Sequence, residues 1–209
     1  MPLDLWLAFV AASTALLLIP GPTVLLVLSY ALSKGRSVAV ASAAGVALGD
    51  LVAMSASLAG LGALVLTSAT LFTALKWVGA VYLIWLGVKL IRSAPSGGLS
   101  VPESGSVTAR HVFGHAAAVT ALNPKSIAFF IAFVPQFITP AAPLLPQFVI
   151  LVATFVGLAA INAFAYALLA DRLRRVISRP SVITWITRAG GGALITMGIL
   201  TASLRRSVP

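Results

Sequence analysis

Long apolar runs separated by short polar connections make up most of the chain. The runs are each more than about 20 residues long and cover residues 5–33, 38–66, 69–91, 112–136, 147–170 and 182–203. A helix of about 20 predominantly apolar residues crosses the hydrocarbon core of a bilayer. The pattern therefore predicts an all-α polytopic membrane protein with about six transmembrane helices.

The overall composition favours the same class of protein. Hydrophobic residues make up 60% of the 209 positions and charged residues only 9%, and the mean hydropathy is +1.07. A soluble domain of this size cannot bury so much apolar surface. The first four residues contain no Lys or Arg and the first apolar run is too long for a signal peptide, so we expect no cleaved leader. The absence of cysteine excludes disulfides, thiolate metal ligands and a cysteine nucleophile.

The net charge of +10 comes mainly from basic residues at the ends of the apolar runs. There Lys and Arg orient helices and contact anionic lipid head groups, so we expect membrane lipid, and not nucleic acid, to meet this charge. The basic residues of the first, third and fifth connections are Lys34, Arg36, Arg92, Arg110, Arg172, Arg174, Arg175 and Arg179. The connections at 67–68 and 137–146 carry no charge.

The positive-inside rule places the three basic connections in the cytoplasm and both termini outside. Arg205 and Arg206, which follow the last run, disagree with this orientation because they would face outward. Under it the chain divides into two inverted three-helix repeats, residues 1–92 and 111–209. The connection at 93–110 is rich in Ser, Gly and Pro, and we expect a cytoplasmic linker there.

Interruptions at matching places support the two repeats. Pro20-Gly21-Pro22 breaks the first run and Asn123-Pro124 breaks the fourth, while Asp50 lies near the middle of the second run and Asn162 near the middle of the fifth. Inverted repeats with broken helices in corresponding positions are typical of secondary transporters.

Pro20-Gly21-Pro22 is expected to free several backbone carbonyls, because each proline lacks an N–H and its ring crowds the preceding turn. Inside a bilayer such carbonyls need polar partners. The helix that restarts at about residue 23 presents N–H groups and a dipole that favour an anion. The break therefore predicts a site for both a carboxylate and a cation. The alternative is a proline kink that serves only packing.

Asp50 is the sharpest single candidate, because a carboxylate at mid-membrane costs about 2.5–3.5 kcal/mol on insertion scales. It must face the bundle interior, where Lys125 lies at a similar depth. A carboxyl group that gains and loses a proton as the site changes face would couple transport to protons. The alternative is a structural ion pair with Lys125. Asn162 either binds substrate or joins two helices by a hydrogen bond.

The remaining motifs favour structure over chemistry. His111 and His115 share a helical face, but no acidic residue stands close in sequence, so we expect no metal. Gly45 and Gly49 form a GxxxG pair, which is typical of close helix packing. Asp50 has no serine–base partner and there is no glycine-rich phosphate loop with a lysine, so we expect neither enzymatic activity nor a cofactor.

Three stretches resemble the LysE (RhtB) family of bacterial amino-acid exporters: IPGPTVLLVLSYALSKGRSVAVASAAGVALGD, LKWVGAVYLIWLGVKLIRS and LNPKSIAFFIAFVPQF. The resemblance covers most of the chain in the right order. The residues on which the family motifs fall are Pro20, Gly21, Pro22, Gly49, Asp50, Asn123, Pro124 and Lys125.

This resemblance implies a homodimer in the bacterial inner membrane that exports amino acids or close derivatives, driven by the proton motive force. Substrates vary across the family, so the resemblance names no particular amino acid. Two other classes stay open: an exporter of another small cation or metabolite on the same scaffold, and a membrane scaffold without transport activity.

Overall fold

The computed structural model describes residues 1–19, 21–34, 36–92, 108–170 and 180–203. The described residues form eight α-helices and one short 3-10 helix, and no strand. In chain order these are α1 Leu3–Leu18, α2 Pro22–Lys34, α3 Arg36–Thr67, α4 Ala69–Arg92, α5 Ala109–Ala121, α6 Pro124–Ala132, η1 Val134–Phe137, α7 Leu144–Leu168 and α8 Pro180–Ser203. The prediction of an all-α protein is confirmed.

Each predicted apolar run corresponds to one helix or to one bent pair. Two stretches, Val38–Ala63 of α3 and Leu144–Leu168 (α7), are long and apolar enough to cross a membrane. The number rises to four if each bent pair counts as one span: α1 with α2, bent by 58°, and α5 with α6 and η1, bent by 44°. Length and composition in the described residues thus support two to four of the six expected spans; α4 and α8, with 24 residues each, account for the third and sixth runs.

Both predicted breaks are present, but the fourth run differs from the expectation in its second half. The run was predicted to be helical to residue 136, whereas α6 ends at Ala132 and the tighter helix η1 follows. Pro135 lies in that turn, and a proline cannot donate the hydrogen bond that a continuing α-helix requires. The linker predicted at 93–110 lies largely outside the described residues, and α5 begins at Ala109.

Helix α3 lies at the centre of the bundle and contacts α2, α4, α5, α6 and α7. Glycines let it approach α5 closely: a Cβ added at Gly45 would lie 2.4 Å from the Phe113 carbonyl oxygen, and one at Gly49 would lie 2.6 Å from that of Ala117. Gly45 and Gly49 therefore lie at a close helix contact, as the GxxxG spacing predicts. Helices α4 and α8 meet in the same way at Gly87 and Gly191.

Two kinds of core fill the bundle. A large cluster between α1, α3, α6, η1 and α7 is rich in phenylalanine and contains Phe9, Phe129, Phe130, Phe133, Phe137 and Phe155. A smaller cluster between α2, α3, α5 and α7 consists of valines and alanines. Large apolar side chains remain exposed on the outside, with Ile161 at 70% and Trp185 at 75%. An apolar exterior over a packed interior is the arrangement expected of helices that face lipid.

Candidate functional site

The first break lies between α1 and α2. Helix α1 ends at Leu18, and Ile19 turns into an extended conformation (φ −72°, ψ 117°). Gly21 stands outside both helices, and its carbonyl accepts the first hydrogen bond of α2, from the Leu25 N–H at 3.0 Å. Pro22 begins α2, while Pro20 lies outside the described residues. The carbonyls at the end of α1 consequently lack the N–H donors of a continuing helix; within the described residues, that of Leu16 accepts a backbone hydrogen bond, from the Ile19 N–H at 3.2 Å.

Side chains from the second half of the chain satisfy four successive carbonyls at this break. Lys125 Nζ donates to the oxygens of Leu16 (3.3 Å) and Ile19 (3.1 Å). The carbonyl of Leu17 accepts from Asn162 Nδ2 at 3.1 Å, and the carbonyl of Leu18 accepts from Tyr166 Oη at 3.3 Å. The expectation that the freed carbonyls find polar partners is met, with three donors from α6 and α7.

The second break is a helix restart capped by Asn123. Its side-chain oxygen accepts from the backbone N–H of Lys125 at 3.1 Å, and Pro124 occupies the first turn of α6, where its missing N–H costs nothing. The Asn123 amide also donates to Thr23 Oγ1 at 3.1 Å. Since Thr23 lies in the first turn of α2, this bond joins the two breaks directly.

A cavity of about 30 Å³ with several polar residues in its wall lies where the breaks meet α3 and α7. Its polar and backbone-rich wall is formed by Gly21, Thr23, Asp50, Asn123, Lys125, Ser126, Asn162 and Tyr166. Leucine, valine and alanine side chains complete the lining. The volume has room for one or two water molecules.

Asp50 reaches this cavity from the middle of α3, and only 2% of it is exposed. Lys125 lines the same cavity, as their matching depths predict. In the described part of the chain no ion pair within 4 Å joins them, because the Lys125 ammonium is directed to the carbonyls of Leu16 and Ile19. The site therefore contains a carboxyl group, an ammonium group and a set of backbone carbonyls in one small space.

The structure thus brings together Gly21, Asp50, Asn123, Lys125 and Asn162. The other predicted site residues lie around them. Gly49 packs one residue away from Asp50 against Ala117 and Thr120 of α5, and Pro124 begins α6 with its side chain exposed.

Thr23, Ser126 and Tyr166 also line the cavity, and sequence reasoning missed them. Each follows a predicted residue at short spacing: Thr23 comes directly after the Pro-Gly-Pro break, Ser126 directly after Lys125, and Tyr166 one helical turn after Asn162. A turn-by-turn projection from Asn162 would have placed Tyr166 on the same face of α7.

The two histidines of α5 belong to another part of the molecule. His115 Nδ1 is hydrogen-bonded to Tyr30 Oη of α2 at 2.7 Å, and the His111 ring lies 6.2 Å from that of His115. Within the described ranges no group of three or more His, Cys, Asp or Glu residues is placed to hold a metal ion.

Long apolar helices with large apolar side chains on the outside, packed around a cavity that contains Asp50 and Lys125, indicate a multi-pass membrane protein. The sequence profile of the LysE type translocator matches residues 14–204. The chain belongs to the LysE family. The resemblance seen in the three sequence stretches is thereby confirmed.

Two full-length relatives share about a third of the sequence. A protein named uncharacterized membrane protein, from Vibrio cholerae serotype O1, is 34% identical over 206 residues, which are 98% of this chain and 100% of the relative. The homoserine/homoserine lactone efflux protein of Salmonella typhimurium is 35% identical over 208 residues, or 99% of this chain and 100% of the relative.

A third relative matches over a shorter range. The leucine efflux protein of Enterobacter sp. (strain 638) is 33% identical over 140 residues, which are 67% of this chain and 66% of the relative. No solved structure matches the chain.

Proposed function

We propose that this protein exports small amino acids or close derivatives from the cytoplasm in exchange for protons. The observation that carries the proposal is the cavity lined by Asp50 and Lys125, beside a broken helix whose four last carbonyls accept hydrogen bonds from Lys125, Asn162 and Tyr166. The names of the relatives, homoserine/homoserine lactone efflux protein and leucine efflux protein, support amino acids as the substrate class.

The two groups that every amino acid carries have complementary partners at the first break. The carbonyls of Leu16 to Ile19 lie at the C-terminal end of α1, where the helix dipole favours a cation such as an ammonium. The N-terminus of α2, with the Thr23 hydroxyl beside it, favours an anion such as a carboxylate. A zwitterion bound between the two helix ends would satisfy both.

Asp50 is the residue that we assign to proton exchange. Of the four acidic residues in the sequence it alone lies within an apolar run. Its carboxyl group shares the cavity with the proposed substrate site, so a bound amino acid and a proton on Asp50 would influence each other at short range. Such mutual influence is what an exchanger needs in order to couple the two movements.

The two halves of the chain would form inverted repeats around this site. A two-fold axis in the membrane plane would pair α3 with α7 and α4 with α8, and both pairs are in contact. The broken pairs α1–α2 and α5–α6 would then correspond, and both breaks border the cavity. We place the protein in the bacterial inner membrane as a homodimer with its basic connections in the cytoplasm.

An efflux screen tests the proposal. Cells that express the protein are loaded with one labelled amino acid at a time, and the label retained is followed against cells with an empty vector. We expect faster loss of at least one small neutral amino acid, and a protonophore should abolish the difference. Equal loss of every amino acid would refute amino-acid export. Loss of an unrelated amine under the same conditions would favour an exporter of another small cation, and no transport at all would favour a scaffold.

A further inference from the structure

The Lys125 side chain already occupies the carbonyl oxygens at the end of α1, beside the cavity. The Lys125 ammonium contacts the carbonyl oxygens of Leu16 at 3.3 Å and Ile19 at 3.1 Å, at the C-terminal end of α1. An ammonium group on a substrate would need these same acceptors, because Asn162 and Tyr166 already hold the two carbonyls between them. The Leu16 oxygen also accepts a hydrogen bond from the Ile19 N–H at 3.2 Å, so the lysine ammonium fills the position from which a second ammonium would reach both oxygens.

The space around the ammonium is closely fitted. A Cβ added at Gly21 would lie 3.2 Å from Lys125 Nζ and 3.5 Å from Cε, so glycine at this position leaves just the room that the lysine uses. The cavity beside it measures about 30 Å³ and holds one or two waters. An amino acid is several times larger than a water molecule, so it enters only if a lining side chain leaves.

We propose that Lys125 is a tethered competitor of the substrate: its ammonium holds the place of the substrate's ammonium group in the empty protein and leaves that place when an amino acid binds. The ligand class is a primary ammonium on a small organic group. Asp50 lines the same cavity and offers the displaced lysine a carboxylate partner, so no unpaired cation is left buried. The inference rests on the proposed function, since it names the group by which the exporter recognises its substrate.

Lys125 could act as a tethered competitor or bind the substrate directly. The two roles predict opposite effects on binding affinity when the charge of Lys125 is removed. A lysine that binds the substrate carboxylate contributes affinity, so its loss weakens the binding of carboxylates and leaves amines unaffected. A tethered competitor lowers affinity, so its loss strengthens the binding of amines. The sign of the change and the chemical group that responds therefore separate the two roles.

Calorimetric titration of the purified full-length protein in detergent measures both. The amine probes are 3-aminopropan-1-ol and 3-methylbutylamine, which are homoserine and leucine without their carboxylates; the acid probes are 4-hydroxybutanoate and 4-methylpentanoate. In Lys125→Met we expect at least one amine to bind about tenfold more tightly or better, the factor of one charge-assisted hydrogen bond, and the acids to show no gain. Lys89→Met is the matched control, since Lys89 lies 5.0 Å from the Trp85 ring and outside the cavity lining.

A second variant, Lys125→Gln, keeps the test possible if Lys125→Met misfolds. The glutamine side chain carries no charge, but its amide can still donate a hydrogen bond to one of the carbonyls. If Lys125→Met does not elute as a folded species, the glutamine variant should show a smaller gain in amine affinity. Amine binding that is unchanged or weaker in the folded variants overturns the proposal. Wild-type protein that exports no amino acid, together with variants that gain amine affinity, would instead refute the proposed function and leave the ammonium site supported.

Discussion

Asp50 is the residue on which the proposed coupling to protons depends. It is 2% exposed in the middle of α3, where an ionised carboxylate costs about 2.5–3.5 kcal/mol on insertion scales. Among the described residues its carboxyl group forms no hydrogen bond or ion pair within 4 Å, and the cation in the same cavity wall, the Lys125 ammonium, contacts the carbonyls of Leu16 and Ile19 instead. A proton could therefore be gained or lost at this carboxyl group without breaking a hydrogen bond or an ion pair of the bundle.

The substitution Asp50→Asn should therefore preserve the fold and remove proton coupling, because the amide keeps the shape of the carboxyl group but carries no exchangeable charge. In inverted membrane vesicles with an imposed pH difference, we expect the variant to lose accumulation of substrate and to retain exchange between labelled and unlabelled substrate. Asp4→Asn, at the exposed start of α1, is the control and should accumulate normally.

A purely structural role for Asp50 predicts another outcome. If it served only to neutralise Lys125, the single variant would leave a buried cation unpaired, at a cost of about 3–5 kcal/mol, and would express poorly. Neutralising Lys125 as well would then restore expression and proton-driven accumulation. Normal proton-coupled transport by such a double variant would end the role that we assign to Asp50.

Tyr166 allows a test of how much the hydrogen bonds to the carbonyls of the first break contribute to the stability of the protein. Tyr166→Phe removes the hydroxyl that donates to the Leu18 carbonyl at 3.3 Å and should lower the free energy of unfolding by about 0.5–1.5 kcal/mol. Tyr82→Phe on α4 is the matched control and should leave stability nearly unchanged. Thermal unfolding in detergent measures both; equal midpoints for the two variants would show that the Leu18 carbonyl does not depend on Tyr166.

Sequence reasoning at this scale found the residues whose chemistry conflicts with lipid and missed those whose chemistry does not. Asp50, Lys125 and Asn162 are conspicuous because a charge or an amide at mid-membrane needs a reason. Thr23 and Tyr166 are compatible with many places in a membrane helix, so neither is conspicuous by its chemistry. The spacing of Tyr166 from Asn162 is the one signal that would have pointed to it, whereas the place of Thr23 depends on the rotation of α2 in the folded bundle. The hydrogen-bond partners of Lys125 could not be predicted either. The depth of Lys125 in the membrane predicts that it lies near Asp50, but it does not predict that its ammonium binds the carbonyls of Leu16 and Ile19.

Among the elements, the contact between α3 and α5 is the one that positions Asp50. A Cβ at Gly49 would lie 2.6 Å from the Ala117 carbonyl oxygen and 2.6 Å from Thr120 Cβ, whereas one at Gly60 of the same helix meets nothing within 4 Å. Gly49→Ala should force the helices apart and cost about 1–3 kcal/mol. Gly60→Ala should be neutral or stabilising by up to about 1 kcal/mol, because alanine is the better helix former.

Thermal unfolding of the two alanine variants, followed by the efflux assay, separates packing from transport. We expect Gly49→Ala to unfold at a lower temperature and to lose efflux, because the adjacent Asp50 moves with α3. A Gly49→Ala protein as stable and active as Gly60→Ala would mean that the close approach of α3 and α5 has no role in holding the site.

The elements also show which features of a broken helix a sequence predicts. Both breaks were predictable, because proline removes a donor and crowds the preceding turn. The 3-10 helix Val134–Phe137 was not predicted, although it contains Pro135, since the apolar pattern continues through it without a change in period. Which half-helix donates to which carbonyl depends on the bend angles, 58° and 44°, and these are set by packing between elements distant in sequence.

At the scale of the whole molecule, the orientation in the membrane determines which face of the protein is in the cytoplasm. In the sequence the first, third and fifth connections are basic, and those at 67–68 and 137–146 carry no charge. By the positive-inside rule, this difference places the basic connections in the cytoplasm. The packing of α3 on α7 and of α4 on α8 agrees with a two-fold relation between the halves but is the same for either direction. Only chemical access from one side of the membrane distinguishes them.

The chain contains no cysteine, so single cysteines can be introduced without a preparatory variant. Ala109 at the start of α5 and Ala141 in the turn before α7 are both exposed, and they flank the bent span of α5, α6 and η1. In whole cells treated with a membrane-impermeant maleimide, Ala141→Cys should react, whereas Ala109→Cys should react only after the cells are permeabilised. The reverse pattern would invert the orientation. Reaction of both in intact cells would show that this bent pair is a re-entrant loop, and the inverted-repeat proposal would fail because its second half would lack a first span.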